Sequence, residues 1–148
     1  MKRMLLLVLA LVLAACSAVP QSELARNRDK WDAAGIGSYR MNLFIGCFCG
    51  FTEKMPLTVE VRSGEVVSMT YDDGTPVGDD MNREFFDRFA TIDRLFDDMQ
   101  SGQTSKADKV EATYDATYGF PSRVNVDAIQ NAVDDEYSVQ ISNFEALK

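Results

Sequence analysis

Residues 57–71 constrain the fold class more than any other part of this chain. Leu57, Val59 and Val61 alternate with Thr58, Glu60 and Arg62; after Ser63-Gly64, Val67, Met69 and Tyr71 resume the alternation. Successive strand side chains point to opposite faces, so a period of two marks strands with one buried face. A Ser-Gly pair between two such runs is a turn, and the segment reads as a β-hairpin. Tyr39, Met41, Leu43 and Ile45 alternate with Arg40, Asn42 and Phe44 and predict a strand before it. Val110, Ala112 and Tyr114, then Val124 and Val126, then Tyr137, Val139 and Ile141 predict three more.

Helices fill the remaining segments. Ser22 can cap a helix over 23–33 that ends near Gly35 and Gly37, with Leu24, Arg28 and Trp31 on one face and Trp31 as its anchor in the core. Asp80 is placed to cap a short helix carrying Phe85, Phe86 and Phe89, and Thr91 to cap the next. In that one, Ile92, Leu95, Phe96 and Met99 form a single apolar stripe closed by Gly102. Helices among antiparallel strands give an α+β fold: a sheet of about six strands with helices packed on one face.

The first sixteen residues predict an address. Lys2 and Arg3 precede an unbroken apolar run, Met4 to Leu13, and Leu13-Ala14-Ala15-Cys16 places small residues before a cysteine. That is the order of a secretory signal peptide, and the cysteine matches the lipobox of bacterial lipoproteins. The run is too short to cross a bilayer, which takes roughly 20 apolar residues. The expected organisation is a signal peptide over 1–15, a lipidated tether over 16–22 and a single α+β domain over 23–148. Acyl chains on Cys16 would hold the protein on a membrane, each buried methylene contributing about 0.8 kcal/mol. Ser17, where enteric bacteria use Asp for inner-membrane retention, points to the outer membrane facing the periplasm if the source is Gram-negative.

Charge narrows the partners. The 148 residues carry 15 basic and 23 acidic side chains; without Lys2 and Arg3, 13 basic residues face 23 acidic ones, a net charge of −10. An acidic body disfavours nucleic acid and anionic headgroups alike. There is no histidine, which excludes a Ser-His-Asp triad, a Cys-His pair and imidazole metal ligands. Carboxylate chemistry across a cleft stays open, but no required spacing marks it. No catalytic residue, cofactor or enzyme activity is therefore predicted.

With Cys16 committed to lipid, Cys47 and Cys49 are the only pair that can bridge within the chain. An oxidising envelope favours pairing, and Gly46 and Gly50 would let the backbone bend to allow it. The pair admits a structural disulfide, a redox or mixed-disulfide site, or metal binding that would need further ligands. The structural reading is preferred. Asp72, Asp73, Asp79 and Asp80 are weak calcium candidates, because they supply hard oxygen ligands without a calcium loop's spacing. Asp is also a turn and cap residue.

A set of features in order carries a family resemblance: Trp31 before Tyr39, Cys47-Phe48-Cys49, Thr91-Ile92 with Leu95-Phe96, Tyr114-Asp115, Tyr118-Gly119-Phe120-Pro121 and Val126-Asp127. Over about residues 24–142 the chain resembles the uncharacterised bacterial lipoproteins grouped as domain of unknown function 6174. That resemblance implies no activity and no catalytic residue. The Tyr-Asp through Gly-Phe-Pro segment is also similar to small envelope domains of the PepSY type, which implies an inhibitory or binding module. The function expected is a membrane-anchored, non-catalytic envelope module that binds an envelope protein or serves structurally. The alternatives are a thiol redox protein using Cys47 and Cys49, or a calcium-responsive binder.

Overall fold

The 39–45 alternation becomes a central strand of an antiparallel sheet. A computed structural model describes residues 21–79 and 81–148; the expected signal peptide, Cys16 and Asp80 lie outside the described residues. The six strands are β1 (Tyr39–Gly46), β2 (Leu57–Arg62), β3 (Glu65–Thr70), β4 (Lys109–Tyr114), β5 (Pro121–Asp127) and β6 (Tyr137–Ala146). They stand in the order β3-β2-β1-β6-β5-β4, each antiparallel to its neighbour. The first half's opening strand is central while the second half's opening strand, β4, is at an edge. The two halves are thus not related by simple repetition.

Three helices among the described residues cover one face: α1 (Glu23–Ala34), α2 (Met81–Asp87) and α3 (Ile92–Ser101). Ser22 caps α1 by accepting from Ala25 N, and Thr91 caps α3 by accepting from Arg94 N. Either cap satisfies an amide that has no partner within its helix. Tyr39, Met41, Leu43 and Ile45 of β1 face these helices and are buried with Phe86, Phe89, Ile92, Leu95 and Phe96. Trp31 anchors α1 as expected, edge-on to Tyr39 at 5.7 Å and to Phe144 at 6.0 Å. Arg28 lies over the Phe96 ring and pairs with Asp32, Asp93 and Asp97, so it ties α1 to α3 by charge.

The helix-free face is polar. Arg40 and Arg62 share Glu60 at 2.9 and 2.8 Å, and Arg123 donates to Gln140 across the β5–β6 pair. Such exposed pairs contribute little to stability individually.

Two bulges change what alternation predicts. Val61 pairs with Val66 while Glu60 pairs with Ser68, which leaves Val67 as the extra residue. Val67 is consequently exposed rather than sharing the buried face with Met69. In β6, Arg40 pairs with Glu145 and Asn42 with Ser142, so two residues oppose one, with Asn143 at φ +50°. The bulge turns Phe144 toward Trp31 and extends β6 well beyond Ile141. β5 likewise starts earlier than expected, at Pro121, a proline being tolerated as a strand's first residue.

Candidate functional site

The strand register gathers three connecting loops at one end of the sheet. Gly46 at the end of β1 pairs with Ser138 at the start of β6, Tyr137 pairs with Val126, and Thr58 pairs with Thr70. Loops 47–56, 71–79 and 128–136 therefore emerge side by side. The opposite end holds the Ser63-Gly64 turn, with φ +49° and +82°, and the 115–120 turn. Helix α1 crosses that opposite end. Gly119 lies against Asn27 and Lys30, and Gly64 N donates to Gly37 O. The described chain thus enters on the side away from the three loops.

Cys47 and Cys49 form a disulfide, with Cα atoms 5.2 Å apart. The expected pairing is present, and both residues are half-buried against the core. Neither flanking glycine is in a left-handed conformation, so their role differs from the expected backbone freedom. A Cβ on Gly46 would meet Ser138 Oγ at 2.9 Å, which makes it a spacing requirement. Gly50 has open space. Thr52 Oγ1 donates to the carbonyls of both Cys47 and Cys49, at 3.0 and 2.9 Å. The three-residue loop is therefore closed covalently and braced by a hydroxyl from the next turn.

This brace separates two aromatic rings. Phe51 turns inward, edge-on to Phe86 at 4.8 Å. Phe48 turns outward and is 88% exposed. The chain bends at 47–48, and Cys47 and Cys49 both pack against the core. Tying Cys47 to Cys49 on the core side commits Phe48 to solvent. That signal was present in the sequence, where Phe48 had no assigned role. Met81 (87% exposed), Val133 (84%) and Ile129 (62%) lie at the same end, at the start of α2 and within the 128–136 loop. Strand periodicity could not find them, because Ile129 and Val133 lie in a loop and Met81 opens a helix.

The same end is acidic. Glu53 and Lys54 lie in the first loop, Asp72, Asp73 and Asp79 in the second, and Asp134, Asp135 and Glu136 in the third. Much of this charge shapes the loops. Asp73 accepts from Thr75 N, and that hydrogen bond holds its carboxyl below the usual range. Asp135 accepts from Ile129 N, and Asp108 accepts from Gln130 N. Lys54 stands over the Tyr71 ring. Among the described residues no three acidic or cysteine side chains converge as a metal site; Asp72, Asp73 and Asp79 share a loop without forming one.

Beside the disulfide loop, a cleft of about 320 Å³ opens between the ends of β1, β4, β5 and β6. Gly46, Glu111, Asn125, Asp127, Glu136 and Ser138 line it, along with Lys109, whose ammonium is bound to Glu111 at 2.9 Å.

A second polar cluster is internal. Buried Asp98 accepts from Gln103 N, Thr104 Oγ1 and Arg88, and Thr104 is also bonded to Tyr137 Oη at 2.7 Å. Its donors and acceptors satisfy one another, which reads as bracing between α3 and β6.

A model of a family of unknown function (DUF6174) matches residues 23–146. No curated protein and no solved structure matches the chain.

Proposed function

The chain belongs to the DUF6174 family, whose function is unknown, and on that premise we propose that it is a non-catalytic cell-envelope module that docks a protein partner through its three-loop end. Acyl chains on Cys16 hold it to the membrane in this reading, and the Lys2-Arg3 head, the apolar run and the Leu-Ala-Ala-Cys sequence support that anchor.

The observation that carries the docking is the exposed Phe48 ring on a loop closed by Cys47–Cys49 and braced by Thr52. Leaving a large aromatic in water forgoes about 1.5–3 kcal/mol of burial. Aromatic anchors commonly dominate protein interfaces, and an anchor fixed in advance loses little entropy when it is covered. Ile129 and Val133 add exposed apolar surface at the same end of the sheet.

Chemical crosslinking in the native membrane, followed by partner identification, tests the reading. The wild-type chain is expected to yield a discrete partner, and Phe48→Ser to lose it. An unchanged crosslink in Phe48→Ser would contradict the docking. A Cys47→Ser chain that instead traps partners as mixed disulfides would favour the thiol redox alternative.

A further inference from the structure

We infer that the partner presents a basic surface around an apolar pocket, and that it approaches from the side facing away from the tether; this rests on the three-loop end being the docking surface. Two independent features determine the partner's chemistry. The anchors Phe48, Ile129 and Val133 require apolar surface to cover them. Around them, seven acidic residues in loops 47–56, 71–79 and 128–136 stand against Lys54 alone. The cleft at the ends of β1, β4, β5 and β6 adds Glu111 and Asp127, with Lys109 already bound to Glu111.

Burying that many carboxylates against a neutral face would strip their water without return. A surface carrying Lys or Arg around an apolar pocket compensates them, and a long cationic side chain has room in the 320 Å³ cleft. An anionic lipid surface would be repelled by the same residues. Orientation agrees with this exclusion. Asn27 and Lys30 lie against Gly119, so α1 packs on the 115–120 turn, at the opposite end of the sheet. A chain held through its N-terminal segment therefore points Phe48 away from the bilayer.

The test uses the full chain in phosphatidylcholine nanodiscs and two short peptides of equal length, one alternating Lys with Phe and Leu, the other with Glu in place of Lys. Empty nanodiscs set the baseline. Affinity is read by thermophoresis and location by hydrogen–deuterium exchange. The Lys peptide is expected to bind at least about tenfold more tightly than the Glu peptide, and to weaken about tenfold between low and physiological salt. Its protection should fall on residues 47–54 and 128–138 and disappear in Phe48→Ser. Equal binding of both peptides at those residues would overturn the basic partner and leave the docking surface standing. Protection centred on residues 40–44 and 58–62 of the sheet, or on α1, would overturn both. Protection of residues 47–54 by phosphatidylglycerol vesicles added to the nanodiscs would assign the end to lipid and overturn the inference.

Discussion

Tyr39 Oη accepts a hydrogen bond from the Ile92 backbone N–H at 2.9 Å, which joins the first strand of the sheet to the first turn of α3. The amide at a helix start has no partner within its own helix, and here a side chain from another element supplies one in the core. Tyr39→Phe leaves that buried donor unpaired and is expected to destabilise the fold by about 1–3 kcal/mol, measured by urea unfolding.

Tyr39 also gives a pH dependence. Burial pushes its phenol up to about 12, while the Ile92 hydrogen bond pulls it down only in part. An unfolded tyrosine loses its proton from about pH 10. The folded chain keeps the proton longer, so this contribution is complete below pH 10 and is lost as pH rises toward 12. Up to about 2.7 kcal/mol is at stake. Alkaline unfolding of wild type should therefore show a loss between pH 10 and 12 that is smaller in Tyr39→Phe; burial also raises the Tyr114 phenol, so part of the loss stays.

Two glycines with similar backbones should respond differently to alanine. Gly35 has φ +62° and nothing near its missing Cβ, whereas Gly119 has φ +83° and Asn27 O only 2.7 Å from that position. Gly35→Ala is expected to cost about 1 kcal/mol, the left-handed penalty alone. Gly119→Ala adds a backbone clash and should cost about 2–3 kcal/mol. Thermal melts of the two variants check the order.

The disulfide is expected to matter more for presentation than for stability. Cross-linking so short a loop removes little unfolded-state entropy, about 1.5 kcal/mol in the chain-entropy account. Replacing both Cys47 and Cys49 by Ser should lower stability by about that amount. It should also raise hydrogen exchange across residues 47–52, since the hydroxyl and amide of Thr52 then hold the loop without the bridge.

Anchoring has its own readout. Metabolic labelling with a palmitate analogue should mark the wild-type chain, and Cys16→Ser should lose both the label and its membrane fraction. A labelled Cys16→Ser chain would remove the anchor from this site.

The sheet was legible because its six strands carry a period of two over at least part of their length, and the helix caps because Ser22 and Thr91 precede runs of helix formers. The failures occur where the backbone departs from that period. One extra residue moved Val67 into solvent, and another at Asn143 turned Phe144 inward and hid the second half of β6. Strand order was not legible either, since it depends on β1 meeting β6 across almost the whole chain. At the candidate site, Cys47 and Cys49 were readable as a pair. Phe48 was visible between them, yet its exposure follows only once the bridge is assigned to the core side. Ile129 and Val133 lie in irregular backbone, where a lone apolar residue looks the same whether it packs or waits for a partner. The Asp98–Thr104–Tyr137 cluster spans three elements and left no local pattern.

Site-specific photo-crosslinking in living cells tests the docking claim most directly. A photo-reactive phenylalanine analogue replaces Phe48 or Val133 at the three-loop end, or Asn42 or Thr58 on the polar sheet face. Crosslinks to one discrete protein from positions 48 and 133, with none from 42 and 58, are the result expected. Crosslinks from 42 and 58 with none from 48 would move the interface to the open sheet and contradict the account.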